Sequence, residues 1–497
     1  MPQTAEKSLN TEHYAEIVPL GGVSHTHSFQ KGESFAAESS KTGFFFLVSD
    51  SAAMLLAFVI GAFVAKLINP EAFQDFLTSA SLRQFAIYAG LGAVTLLWLD
   101  TKGHYRSRLP YWETLGHIVS LMLVGFVAGG FIQFAIKSHP SRLWLGASWG
   151  LFGILLYFGR MLVRRAFEAR GKWEIPALVI GCGPTAAAAQ KALLSEPEMG
   201  YRVVAALGSE KLVGLERPNA WAQLLRKMNA RHIFLALEGA DLEKYKAAIK
   251  ALGRDRLPYA ILPSLVGLPL NGLSTHHFMM HDVMLLQDTN PLRLLLPRLV
   301  KRSFDIVAAG GAFMVLLPVF LLIALIVRTD GGPVFFNQPR LGKKGKIFNC
   351  HKFRSMRTDA EDVLMKFLRA DPAMAGEWKN FQKLKRDPRL TRFGAFIRRT
   401  SLDELPQLLN VLKGDMSLVG PRPIMLGQEV YYGDEIASYC AVHPGITGPW
   451  QVSGRNRLTF PQRVELEAWY TRNWTFWMDI VIILKTFPAL LHRDTAF

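Results

Sequence analysis

Two adjacent acids, Asp403 and Glu404, stand in the stretch "RRTSLDELPQLLNVLKGDMSLVGPRP", residues 398–423, whose surroundings are strongly basic. An ionised carboxylate can attack phosphorus as a nucleophile. Its neighbour can share a Mg²⁺ that neutralises a diphosphate, because Mg²⁺ takes one or two carboxylates and completes its shell with phosphate oxygens. Asp403 and Glu404 are therefore candidate catalytic residues and candidate metal ligands. Arg398 and Arg399 precede them, and Arg422 is held between Pro421 and Pro423, a rigid placement for a guanidinium fork that grips phosphate. A plainer reading stands beside this one: Ser401-x-x-Glu404 is a capping-box pattern, and acids are favoured at a helix start. Pro406 is expected to force Leu405 out of helical geometry, leaving the acids just ahead of a helix. The helix dipole and the two arginines are expected to keep both carboxylates ionised.

Further cations occur upstream in "HKFRSM", Lys352 and Arg354, and downstream in "SGRN", Arg455. Each could contact a diphosphate or face anionic head groups. Residues 338–400 hold 17 Lys+Arg against 6 Asp+Glu, a net of +11. The region suits anionic lipid or a phosphorylated substrate. It carries no recognised nucleic-acid motif, so a nucleic-acid partner is not expected. His351 and His443 lack metal-ligand spacing and read as structural, and the three cysteines, Cys182, Cys350 and Cys440, imply no disulfide framework.

The elements that must carry this chemistry begin with membrane segments. The 497 residues are 50% hydrophobic, with 57 Lys+Arg against 40 Asp+Glu, a composition that excludes an ordinary cytosolic enzyme. Residues 1–42 read as a disordered tail without a cleavable leader. Apolar stretches near 44–68, 84–100, 116–136 and 143–163 each have about the length that crosses ~30 Å of hydrocarbon. The connections after the second and fourth are the basic ones, which puts both ends of a four-helix transmembrane bundle, residues 43–165, in the cytoplasm.

Residues 173–290 alternate short apolar runs with helical segments, the pattern of a small doubly wound, Rossmann-like domain. Gly181-x-Gly183-x-x-Ala186 matches a loose dinucleotide fingerprint, but Tyr201 and Arg202 stand where the acid about 20 residues on belongs. No Tyr-x-x-x-Lys pair of a sugar-nucleotide dehydratase is present, so the domain reads as structural or regulatory. Residues 304–327 are again long enough to span a bilayer, yet both flanks are basic. A segment with two cytoplasmic flanks must enter and return, and Pro318 supplies the break.

The motifs "KRSFDIV", "GGPVFFNQPRLGKKGKIFNCHKFRSM", "RRTSLDELPQLLNVLKGDMSLVGPRP" and "HPGITGPWQVSGRN" together resemble the bacterial polyprenyl-phosphate hexose-1-phosphate transferases, the large monotopic phosphoglycosyl transferases. Within that family the chain looks most like the undecaprenyl-phosphate galactose phosphotransferases. The resemblance implies that Asp403 attacks the β-phosphorus of a UDP-hexose, that UMP leaves, and that the phosphosugar passes to undecaprenyl phosphate, with Glu404 assisting through Mg²⁺ or proton transfer. It implies a catalytic domain over residues 298–497 with a re-entrant helix at 304–327, on the cytoplasmic face of the bacterial inner membrane, and a homodimer. Lys352, Arg354, Arg398, Arg399, Arg422 and Arg455 become the expected substrate-binding set. Family members often carry Ser before the helix-breaking proline, whereas Leu317 precedes Pro318 here. UDP-glucose as donor, a membrane-anchored dehydratase and a non-catalytic assembly scaffold are the alternatives. The C-terminal run "NWTFWMDIVIILKTFPALL" reads as an interfacial helix with Trp474 and Trp477 in an aromatic belt.

Overall fold

The computed structural model describes residues 37–70, 80–137, 141–217, 219–255, 257–263, 273–277, 284–288, 291–370, 387–454 and 458–491. Residues 1–36 of the expected tail and Arg455 lie outside the described residues, while residues 37–42, expected to be disordered, already belong to the first helix. Two compact units divide after residue 264.

The first unit opens with four helices, α1 (Ala37–Ile68), α2 (Ala80–Thr101), α3 (Tyr111–Ala135) and α4 (Arg142–Ala169). They share one core, in which Ala57, Leu99, Ile118, Trp149 and Phe152 come from all four. Their outward faces remain apolar: Phe63, Leu97, Phe131 and Leu162 are each more than 60% exposed. Helices that are apolar on both the packed and the exposed face belong in lipid rather than water, and each of the four is long enough to span it.

The same unit continues with β1 (Ile175–Ile180), α5 (Gly183–Ser195), β2 (Tyr201–Leu207), α6 (Ala220–Lys227), β3 (His232–Leu235), α7 (Gly239–Lys244), α8 (Lys246–Arg254) and β4 (Tyr259–Ile261). The strands form one parallel sheet in the order β2-β1-β3-β4, as alternating strands and crossover helices require. Strand β1 is buried through Ala177–Ile180, the continuous apolar run of a strand covered on both faces. The Gly181 turn is real: a side chain at Gly181 would strike the Ala236 carbonyl, and Gly183 has φ +72°. Pro184 sits in the first turn of α5, where its missing N–H costs nothing. An acid does follow β2, but nearly ten residues later than the spacing suggested: Glu210 accepts from Cys182 Sγ at 3.8 Å.

The second unit begins with an antiparallel hairpin, β5 (Leu273–His277) and β6 (Met284–Asp288), followed by α9 (Leu295–Arg328). Next come β7 (Phe335–Leu341), β8 (Ile347–Phe353), α10 (Ala360–Ala370), α11 (Arg392–Arg399) and α12 (Gln407–Lys413). The chain ends through β9 (Ser417–Val419), β10 (Ile424–Met425), α13 (Ile436–Cys440), β11 (Gly445–Thr447), α14 (Pro449–Val452), α15 (Phe460–Asn473) and α16 (Phe476–Leu491). Strands β10-β7-β8 form an antiparallel sheet, and β11 pairs with β9 in parallel.

Helix α9 starts nine residues before the apolar segment and stays helical with Pro318 inside it. It is the fifth helix apolar enough to cross a membrane. Both of its halves are fastened to the same small domain. Before the proline, Arg302 donates to the carbonyls of Val411 and Leu412, and Asp305 accepts from the Leu418 amide. After it, Phe320, Ile323 and Val327 pack with Phe353 and Ile397, and Arg354 donates to the Val327 carbonyl. Trp474 departs from the expected aromatic belt: it is fully buried with Val419, Tyr470 and Ile482, because it ends α15 and faces the core rather than beginning the apolar face of α16.

Candidate active site

The acids sit in a single 3-10 turn, Leu402–Glu404, wedged between α11 and α12. Ser401 enters that turn with φ +56°, a left-handed conformation, and its side chain makes no cap bond. The capping box therefore does not form, because a serine in this conformation cannot aim its hydroxyl down a helix axis. The turn closes through backbone bonds from Glu404 N to Ser401 O and from Leu405 N to Leu402 O, each 3.2 Å. Leu405 keeps right-handed helical angles (φ −51°, ψ −37°) despite preceding Pro406, a correction to the expected displacement. The steric bias against helix before proline is met here by a turn in which Pro406 itself begins the next helix. The acids do lie just ahead of that helix.

Burial separates the two carboxylates. Asp403 is 8% exposed, and that burial pushes its carboxyl up to about 6, with Glu404 adding to the rise and Lys352 and Arg398 resisting it. The basic neighbours thus do not dominate at Asp403 as the sequence suggested. Burial also works against the Glu404 anion, but Lys352, then Arg422 and Arg340, outweigh it and hold this carboxyl below its ordinary value.

Lys352, near the end of β8, reaches the pair: its Nζ lies 2.6 Å from Glu404 Oε1 and 4.0 Å from Asp403 Oδ2. Arg398 donates from Nε to Ser355 Oγ at 2.8 Å, within electrostatic range of Asp403. Arg422 acts on Glu404 electrostatically, its guanidinium 4.8 Å from the Trp450 ring centroid. Arg354 does not join them. It follows the last residue of β8, so the chain has already turned away, and it pairs with Asp330 and the Val327 carbonyl. Arg399 is exposed at the end of α11 and is not drawn to the pair.

Two residues that sequence reasoning missed build the frame. Arg340 on β7 is buried and donates to the Pro423 carbonyl at 2.9 Å, which pins the loop carrying Arg422. Glu467 on α15 is also buried; it accepts from the Arg422 amide, from Arg463 Nε and from the Tyr432 hydroxyl. Neither lies near Asp403 in sequence, and only a buried acid among arginines could have signalled Glu467. His351 is structural, its Nδ1 2.7 Å from Asn337 Oδ1. His443 is held near a pKa of 4 by burial, which keeps it neutral. Among the described residues no group of three His, Cys, Asp or Glu side chains gathers as a metal cage. Two adjacent carboxylates are nonetheless the donor set that Mg²⁺ uses when phosphate oxygens complete its shell.

Comparison with known proteins decides the family. Residues 296–493 match the bacterial sugar transferase family, and residues 100–263 match a family described as a CoA-binding domain. The chain is 36% identical over 424 residues to an uncharacterized sugar transferase of Haemophilus influenzae, covering 83% of this chain and 89% of that protein. It is 36% identical over 432 residues to the undecaprenyl-phosphate galactose phosphotransferase of Salmonella typhimurium, covering 85% and 90%. It is 37% identical over 403 residues to the UDP-galactose-lipid carrier transferase of Erwinia amylovora, covering 79% and 84%.

The chain belongs to the bacterial sugar transferases. Every residue of the carboxylate pocket, from Arg340 to Glu467, falls inside the matched sugar transferase segment. The enzyme is a membrane protein whose transferase domain carries the acids and whose N-terminal half carries four apolar helices and a parallel sheet.

Proposed function

We propose that this sugar transferase moves a hexose 1-phosphate, galactose 1-phosphate above all, from a UDP-sugar to undecaprenyl phosphate, as the first membrane step of O-antigen, capsule or exopolysaccharide synthesis. The observation that carries the reading is the Asp403–Glu404 turn with Lys352 held between its carboxylates. Asp403 attacks the β-phosphorus, the bond from that phosphorus to the oxygen bridging the two phosphates breaks, and UMP departs with the electron pair. An oxygen of undecaprenyl phosphate then attacks the aspartyl-bound phosphorus and releases the Asp403 carboxylate, leaving a polyprenyl diphosphate sugar. With its pKa near 6, Asp403 is mostly ionised at neutral pH while more basic than an ordinary aspartate, which suits a nucleophile. Lys352, Arg398 and Arg422 offset the charge of the diphosphate. Asp403 and Glu404 would hold Mg²⁺ together with phosphate oxygens of the substrate; bound there, it would neutralise the leaving diphosphate.

The reading places the site at the cytoplasmic surface of the inner membrane, with α9 entering and returning. A straight helix would set Arg302 and Val327 about 37 Å apart, beyond the ~30 Å hydrocarbon thickness, yet both bond to the same domain. Phe313 and Phe320, on either side of Pro318, meet with ring centroids 5.4 Å apart, as a bend there would allow. Galactose is preferred because two relatives that span most of the chain carry it in their names. The test is UMP release by purified enzyme supplied with undecaprenyl phosphate, Mg²⁺ and either UDP-galactose or UDP-glucose. Faster release from UDP-galactose supports the donor, faster release from UDP-glucose replaces it, and release from neither sinks the reaction.

A further inference from the structure

A second polar site lies in the first unit, far in sequence from the carboxylates. A cavity of about 420 Å³ opens where the α2–α3 connection, α3 and α4 meet Trp173 and Met199, within the 300–1,000 Å³ range of ligand pockets. Four arginines line it, Arg108, Arg160, Arg164 and Arg165, against two acids, Glu168 and Glu198.

Most of that charge is already matched. Arg160 makes a two-pronged pair with the fully buried Asp50, which also accepts from the Tyr105 hydroxyl. Arg164 pairs with Glu168 at 2.7 Å and with Glu198 at 3.2 Å. Arg108 is different. Its guanidinium lies 3.7 Å from the centroid of the Trp173 ring, and its Nη1 is buried without a hydrogen-bond partner. Among the described residues no carboxylate pairs with it. Arg165, at the exposed rim, has no described carboxylate partner either.

A cation–π contact holds a guanidinium in place, but it leaves the donors unsatisfied. A guanidinium that lines a cavity without a carboxylate partner offers its accessible N–H groups to an anion with several oxygens. The hydroxyls of Tyr111 and Tyr157, 3.4 Å apart on the same wall, offer two more groups to such an anion. The rest of the wall is apolar, with Phe46, Leu115, Ile118 and Met161 contributed by α1, α3 and α4. Those helices are long and apolar enough to cross a membrane, so an apolar wall built on them suits the acyl end of a lipid. A soluble nucleotide would leave it wet.

We propose that this cavity is a binding site for the phosphate headgroup of an anionic membrane lipid, with Arg108 gripping the phosphate, Arg165 at its rim and the first acyl carbons against the helix wall. The chemistry is non-covalent, and the site belongs to the first unit whereas the transferase carboxylates belong to the second. Occupancy neutralises Arg108 and ties the α2–α3 connection to the region of Trp173.

The test is native mass spectrometry of the full-length protein in detergent, titrated separately with dioleoyl phosphatidic acid, dioleoyl phosphatidylcholine and inorganic phosphate. One phosphatidic acid should bind per chain in preference to phosphatidylcholine, and Arg108→Gln should weaken that binding at least tenfold while UMP release stays within twofold of wild type. Arg165→Gln, at the exposed rim, should weaken it about threefold and covers the case in which Arg108→Gln fails to fold. Equal retention of phosphatidic acid by wild type and both variants overturns the site. Equal binding of phosphatidylcholine, or equally tight binding of inorganic phosphate, overturns the anionic-lipid assignment.

Discussion

Two lysine–carboxylate clusters among the described residues of the transferase unit are built from similar parts and finished differently. In one, Lys301 on α9 sits 2.5 Å from Asp479 Oδ2 and also donates to the Val419 carbonyl, while Tyr470 donates to Asp479 Oδ1. The Asp479 side chain is 2% exposed. In the other, Lys352 stands close to Glu404 but 4.0 Å from Asp403, and the Glu404 side chain is 36% exposed. Burial raises the carboxyl of both aspartates. What differs is the shell around the anion: both oxygens of Asp479 are occupied, whereas Asp403 has no side-chain donor at hydrogen-bond distance among the described residues. A closed pair ties α9 to α16. An incompletely paired carboxylate keeps its nucleophilicity.

The strongest way to break this contrast is to remove the lysine from each cluster. Lys301→Met leaves Asp479 buried without its cation and should destabilise the protein by about 3–5 kcal/mol, read as a large fall in thermal unfolding temperature in detergent. An unchanged unfolding temperature would mean that the closed cluster does not hold the domain together. Lys352→Met should hardly move unfolding but lower kcat by about 10²–10³-fold, the scale for losing one preorganised charge-stabilising donor. A variant that unfolds early with normal kcat would put Lys352 in the structural class.

The pH dependence sharpens the comparison further. Activity should fall as pH drops through about 6, where Asp403 takes up its proton. Since Lys352 resists the rise of that pKa, Lys352→Met should shift the acid limb to higher pH; a limb that stays put would show that another group titrates. Because the folded-state pKa of Asp403 lies above its ordinary value, folding favours proton uptake there. Its charge therefore opposes stability increasingly from about pH 4 to 6 and fully above that. Asp403→Asn should accordingly unfold no earlier than wild type at pH 7.5, and earlier unfolding would assign Asp403 a structural role. The smallest effect is expected at Arg399, which is exposed outside both clusters. Arg399→Gln should leave stability within about 0.5 kcal/mol and kcat within twofold, and a larger loss of activity would return it to the substrate-binding set.

Much of the transferase was readable residue by residue. The acids, the basic field around them, the apolar stretches and the β-α-β pattern all depend on local composition and period, which a single sequence displays. The errors arose where distant contacts override local preference. The left-handed Ser401 dissolved a capping box that spacing alone endorsed, and the end of β8 at Phe353 turned Arg354 toward Asp330. Trp474 looked like a membrane anchor until the packing of α15 buried it. Arg340 and Glu467 stayed hidden because the bonds by which they pin the Arg422 loop, to the Pro423 carbonyl and the Arg422 amide, join residues more than 40 apart in the chain.

The most direct test of the account withholds the lipid acceptor. Purified enzyme incubated with UDP-galactose and Mg²⁺ alone should release close to one UMP per chain and carry a hexose phosphate on Asp403, located by mass spectrometry after proteolysis, and Asp403→Asn should do neither. A hexose phosphate found on another residue, or full UMP release by Asp403→Asn, would contradict it.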